Sequence, residues 1–114
     1  MRYVIYHNPK CSKSRQALQM LMDQKVNFEV IEYLKDPLSE KQILDLLSII
    51  DVEPFAMVRT KETIFQTEKP PIETLDEIAR TIAKFPTLLE RPIVSDGRRA
   101  ILGRPPENLK KLFT

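Results

Sequence analysis

The chain has 114 residues, a length that matches one compact domain with a single core and is too short for two. Hydrophobic residues make up 42% and charged residues 30%, with both signs interspersed, which describes a soluble globular chain and argues against disorder. The 18 basic and 16 acidic residues leave a net charge of +2 with no long basic run, and the longest apolar stretches, such as ILDLLSII at 43–50, fall far short of the roughly 20 residues of a bilayer span, so neither nucleic acid nor a membrane is an expected partner.

RYVIYH at 2–7 alternates and is rich in β-branched and aromatic residues, which predicts a strand running into the NPK turn. From Ser12 to Gln24 the apolar residues Ala17, Leu18, Leu21 and Met22 recur at helical spacing. NFEVIEYL at 27–34 predicts a second strand, and two strands joined through a helix imply a parallel βαβ unit with a right-handed crossover. Ser39 and Gln42 form a capping box for the next helix, with Leu38 and Ile43 placed as a hydrophobic staple and Ile43, Leu46, Leu47 and Ile50 as the buried stripe. TEKPP at 67–71 reads as a loop. Thr74 and Glu77 repeat the capping-box pattern ahead of Leu75, Ile78, Ala79 and Ile82, in a helix that ends before Pro86. RPIVSDGRRAIL at 91–102 predicts two short strands around Asp96-Gly97, a dipeptide suited to the positive φ angles of a tight hairpin. RPPENLKKLF then predicts a closing helix with Leu109, Leu112 and Phe113 on one side. The order β-α-β, helices, β-hairpin, α makes one α/β layer structure the economical fold.

A single cysteine excludes an internal disulfide, and one cysteine with one histidine offers too few soft ligands for a structural zinc site. No metal or bound cofactor is expected. Cys11 falls where the first strand gives way to a helix, and a helix N-terminus presents unpaired N–H groups and the positive end of the macrodipole, both of which stabilise a thiolate. Lys10, Lys13 and Arg15 add positive charge in the local sequence. Buried packing is the common fate of a lone cysteine, but Cys11 is flanked by polar residues and belongs to no apolar face, which favours reactivity. His7 stands at a strand end, where tuning of the thiol and a simple bond to a backbone carbonyl are equally consistent. The same helix start is an anion site, so an oxyanion substrate is one reading, and it calls for further fork-shaped cations. Arg59 in MVRTKE, Arg91 in ERPIV and Arg104 in LGRPP are the candidates. Taken singly each reads as a solvated surface arginine, though Arg91 and Arg104 sit beside prolines that fix backbone direction.

YHNPKCSKSRQAL, MVRTKE, LLERPIV and LGRPPENL together resemble, in order and nearly end to end, the glutaredoxin-coupled arsenate reductase (ArsC) family, and in particular its short branch. The resemblance implies a thioredoxin-like α/β fold with a helical insertion and a mixed central sheet, as one domain over residues 1–114. It implies that Cys11 is the nucleophile, that Arg59, Arg91 and Arg104 bind the oxyanion and the covalent arsenic intermediates, and that His7, Ser14 and Arg15 help hold or activate the thiolate. It further implies a cis Arg91-Pro92 bond, arsenate or a similar oxyanion as substrate, glutathione as co-substrate and glutaredoxin as partner. A monomer is the expected state. In CSKS, Ser14 stands where a Cys-x-x-Cys motif has its second thiol, so the resolving thiol has to come from another molecule. The chain ends at Thr114 without the longer C-terminal tail of the best-studied members, and its N-terminus opens directly into RYVIY with no apolar h-region, which makes a cytoplasmic location the expectation.

Two other classes are consistent with parts of this pattern. A regulator like the Spx proteins shares the resemblance, but those proteins carry Cys-x-x-Cys and a different stretch where LGRPP stands here. A monothiol glutathione-dependent transferase would use the same thiolate, yet leaves the arginines without a task. A cysteine phosphatase is disfavoured by the short interval between Cys11 and Arg15.

Overall fold

In the computed structural model, which describes residues 2–113, four strands form one sheet. These are β1 (Tyr3–Tyr6), β2 (Phe28–Ile31), β3 (Ile93–Ser95) and β4 (Ala100–Leu102), in the spatial order β2-β1-β3-β4. Strands β1 and β2 run parallel, with Tyr6 opposite Ile31, and the chain between them carries helix α1 (Ser12–Asp23). β1 and β3 are antiparallel, as are β3 and β4, so the sheet is mixed. These directions decide where chemistry can collect: the ends of β1, β2 and β4 and the beginning of β3 all lie along one end of the sheet.

Both faces of the sheet are covered, which explains why β3 and β4 are buried at every position and are apolar at every one but Ser95. On one face Ile5, Val94 and Ile101 pack with Ala17 and Leu21 of α1 and with Leu109 and Leu112. On the other, Ile93, Ala100 and Leu102 pack with Ile43, Leu46 and Leu47 of helix α2 (Glu40–Ile49), with Ile78, Ala79 and Ile82 of a helix at Leu75–Lys84, and with Tyr33, Met57 and Leu88. Each fully buried Leu or Ile contributes about 1.5–3 kcal/mol relative to exposure. Both capping boxes form with the expected residues: Ser39 Oγ accepts from the Gln42 N–H, and Thr74 Oγ1 accepts from the Glu77 N–H, while the partner side chain returns to each cap. The staple residues Leu38 and Ile43 are both buried.

Several elements differ from the sequence reading. The insertion between α2 and the Thr74 cap holds a 3-10 turn at Pro54–Met57 and a short helix, α3 (Thr63–Glu68), neither of which carries a periodic apolar face; the later helix is therefore α4 (Leu75–Lys84). The loop begins only at Lys69, which takes a left-handed conformation at the end of α3. Strand β2 stops at Ile31, so Tyr33 and Leu34 lie beyond it. Met22 and Leu75 stand at the rims of their stripes and are more than half exposed. Ile50 has left α2 for extended backbone and bridges to Ala100. In the hairpin only Gly97 takes a positive φ, of 93°, while Asp96 keeps ordinary backbone and accepts from the Arg98 and Arg99 N–H groups. The closing helix is 3-10 at Pro106–Leu112; Leu109 and Leu112 are buried, and Phe113 follows it, stacked at a tilt on Tyr3.

Candidate active site

The corner between β1 and α1 is built by residues 7–15. The His7 N–H continues the ladder by donating to the Ile31 carbonyl, then Asn8 Oδ1 accepts from the Lys10 N–H and the Asn8 carbonyl accepts from the Cys11 N–H. This asparagine-centred turn delivers Cys11 in extended backbone (φ −95°, ψ 122°) as the N-cap of α1. At that position a side chain faces the free N–H groups of the first turn. Burial pushes the Cys11 thiol up, but the Ser14 N–H, the Arg91 guanidinium and the Lys13 N–H outweigh it, and the thiol titrates below its ordinary value. The sulfur is largely enclosed, with the residue 8% exposed.

Behind the cysteine lies a buried polar pair. His7 Nδ1 and Ser14 Oγ are 2.7 Å apart, and Ser14 Oγ also accepts from the Asn8 N–H at 3.0 Å. Burial pushes the His7 imidazole down, and Glu32 raises it by less, leaving it below its ordinary value and neutral at pH 7. His7 therefore supplies a hydrogen bond here, not a charge. Arg15 sends its guanidinium back to the Pro9 carbonyl at 2.9 Å, fastening the turn, and its charge acts on His7. Of the cations near Cys11 in the sequence, none reaches the sulfur as Arg91 and Arg104 do.

The three arginines come from three segments. Residues 57–59 and 88–90 pair antiparallel, with the Glu90 N–H donating to the Met57 carbonyl and the Arg59 N–H to the Leu88 carbonyl, which sets Arg59 beside Glu90. Arg91 leads into β3 and Arg104 follows β4. Their two chains are locked together at Gly103, whose N–H donates to the Pro92 carbonyl; a Cβ there would fall 2.9 Å from Pro92 Cγ and 3.2 Å from Leu109 Cδ1. Both Arg91-Pro92 and Arg104-Pro105 are cis, the first as the resemblance implied. Arg104 Nε donates to the Arg91 carbonyl at 2.7 Å and its Nη2 lies 3.8 Å from Cys11 Sγ. Arg91 itself is raised above its ordinary value: burial works against its charge, and the cysteine, Tyr33 and Glu90 outweigh that.

Two residues of this site carried no sequence signal. Glu90 Oε1 accepts from Arg59 Nη1 at 2.6 Å and from the Arg91 N–H at 3.1 Å, and stands 3.4 Å from Arg104 Nε, so one carboxylate gathers donors from three segments. Tyr33, just past β2, is buried with its hydroxyl in the fields of Arg91, Arg59 and Cys11. Beside this cluster an open pocket of about 320 Å³ is lined by Arg59, Lys61, Glu62, Glu90 and Arg104, among others. Among the described residues no group of three or more His, Cys, Asp or Glu side chains could hold a metal, and no helix is long and apolar enough to cross a membrane.

A thiolate at a helix start thus faces arginines from the other end of the chain. The family model for the ArsC family matches residues 6–112. The chain belongs to the ArsC family. It is 40% identical to an arsenate reductase of Neisseria meningitidis serogroup A over 115 aligned positions, covering 96% of each chain, and 34% identical to an arsenate reductase of Haemophilus influenzae, covering 99% of this chain and all of that one. The solved structure of an arsenate reductase from Vibrio cholerae superimposes with a TM-score of 0.87 at 38% identity, over 97% of each chain. The thioredoxin-like α/β fold of this ArsC chain follows from that likeness and from its own mixed sheet.

Proposed function

We propose that this ArsC chain reduces arsenate to arsenite, with Cys11 as nucleophile and Arg59, Arg91 and Arg104 as the oxyanion's cationic partners. The observation that carries the reading is the convergence of arginines at positions 91 and 104 on a thiolate at position 11, in a family whose members include named arsenate reductases. In the first step the Cys11 thiolate attacks the arsenic of hydrogen arsenate, forming a sulfur–arsenic bond. One oxygen leaves with its own hydrogen and one proton from solvent, as water, so the dianion exchanges a hydroxyl for sulfur and arsenic stays pentavalent. The arginines offset the negative charge that two anions bring together, in a largely enclosed site where each donor counts for more than in water. Ser14 and His7 hold the first turn of α1 in place beneath the thiolate, and Arg15 secures the loop before it.

Reduction to the trivalent state takes two electrons from thiols. The chain's one cysteine is regenerated, so both electrons come from outside. Glutathione displaces an oxygen of the arsenic adduct as water, and a glutaredoxin thiolate then attacks that glutathione sulfur and leaves the bonding pair on arsenic. The resulting mixed disulfide is reduced by further glutathione, and water releases arsenite from Cys11. These soluble thiols suit a cytoplasmic monomer with no bound cofactor. The test is steady-state arsenate reduction with glutathione, glutaredoxin and its reductase present. Turnover is expected in the native chain and none above background in Cys11→Ser, which keeps the shape of the corner and removes the nucleophile. Retained turnover in that variant overturns the reading.

A further inference from the structure

Three buried side-chain polar atoms of the described residues have no hydrogen-bond partner: Tyr33 Oη, Arg59 Nε and Arg91 Nε. Buried polar groups are normally paired, and each one left unpaired costs about 1–3 kcal/mol, so an unpaired group in a folded protein asks for an explanation. Here the three share one place. Arg59 and Arg91 belong to the arginine face described above, and Arg91, Arg59 and Cys11 all act on the Tyr33 phenol, Arg91 from close enough to present a donor to its oxygen, so that it is the hydroxyl proton that has nowhere to go. Arginine nitrogens can only donate, and a phenol can donate as well. What the group lacks is an acceptor.

The fold accounts for Tyr33 being there. β1 and β2 are parallel and in register, so the segment after β2 emerges beside the segment after β1 that carries Cys11. The ring is wedged into the apolar core with Leu38, Ile43, Ile82 and Leu89, which fixes its direction and leaves the hydroxyl at the polar end. The residue is 1% exposed, so bulk water does not solvate it. We propose that Tyr33 is a further oxyanion-contacting residue, whose hydroxyl donates a hydrogen bond to an oxygen of the substrate held by Arg59, Arg91 and Arg104. Burial pushes the phenol up to about 12, against the pull of the two arginines, so it keeps its proton and stays a donor throughout the neutral range. The role rests on the oxyanion reading of the site and adds to it a neutral, buried donor.

Protection of Cys11 from iodoacetamide by inorganic phosphate, a non-reducible oxyanion, tests this in the native chain and in Tyr33→Phe, together with the melting temperature and arsenate turnover of each. The variant keeps the ring and removes one oxygen. The half-protecting phosphate concentration is expected to rise about tenfold, the effect of one hydrogen bond to a charged group, and turnover to fall with it. The alkylation rate without phosphate should stay within about twofold, and the melting temperature should hold or rise, because the variant loses an unpaired buried hydroxyl. A residue that served only packing would show the reverse, a lower melting temperature with phosphate protection unchanged, and either of those results overturns the proposal. Equal protection of both proteins removes Tyr33 and leaves the oxyanion site standing. If neither phosphate nor arsenate protects even the native chain, the oxyanion reading itself falls, and this role with it.

Discussion

On the β1–α1 side of the cysteine, polar groups are saturated: Ser14 Oγ serves both His7 and the Asn8 N–H, Asn8 Oδ1 serves Lys10, and no buried side-chain polar atom lacks a partner. On the arginine side, three buried donors are left open, while Glu90, Glu62 and the Arg91 carbonyl take up others. The difference separates two tasks. A saturated network is rigid and costly to disturb, which suits a region that must place one sulfur atom. Open donors are a standing cost in the empty protein, recovered when an acceptor arrives, which suits a region that must bind one.

The strongest test of this contrast is Arg91→Ala. Arg91 acts on the thiolate directly and carries one of the open donors, so its loss should raise the thiol's titration midpoint, read from the pH dependence of iodoacetamide alkylation, and lower arsenate turnover by about 10²–10³-fold, as for removal of an oxyanion donor. Stability should change little by comparison. Ser14→Ala probes the other side and should invert the pattern. It strands the Asn8 N–H and the His7 ring in a buried place, at a cost of about 1–3 kcal/mol in urea unfolding. Its phosphate protection should shift less than that of Arg91→Ala, and a Ser14→Ala chain of native stability would erase the distinction drawn here.

The smallest expected effect is the pH response of the saturated side. The His7 imidazole titrates below its unfolded value, so the unfolded chain takes up a proton that the native one refuses. Stability is therefore fully present above the unfolded value of about 6.5 and declines as pH falls below it, until the native value is reached. The slope for one histidine cannot exceed about 1.4 kcal/mol per pH unit. Urea melts of the native chain and of His7→Gln between neutral pH and mildly acid pH should differ by that slope, with the native chain losing more. Parallel curves would mean that the fold leaves the imidazole's titration unshifted, and a native chain that gains stability over the variant on acidification would mean that charge, not hydrogen bonding, holds this corner.

How much of this was legible along the chain depended on range. Ser39 with Gln42 and Thr74 with Glu77 are visible because a capping box closes within one turn, and its partners are fixed by covalent spacing. Cys11 at a helix start is visible for the same reason. α3 was not, since its six residues bury no side chain completely and its start has no side-chain cap. The source of the charge on the thiol was misplaced: the nearby Lys10, Lys13 and Arg15 suggest themselves in sequence, while Arg15 turns to Pro9 and the decisive guanidinium is Arg91. Glu90 and Tyr33 gave no signal at all, because an acid beside an arginine and a tyrosine at a strand end are ordinary until their surroundings are known.

The sequence by itself determined the strand-to-helix switch that exposes first-turn N–H groups to Cys11, the two capped helices, and the absence of a second thiol. Only the tertiary structure decided which cations face that thiol and which donors lack an acceptor. Those facts depend on the direction and register of four strands, which bring residues 11, 33, 91 and 104 to one end of the sheet. Hydrogen bonds within a turn are set by chain geometry, but contacts across a sheet are set by how the whole core packs.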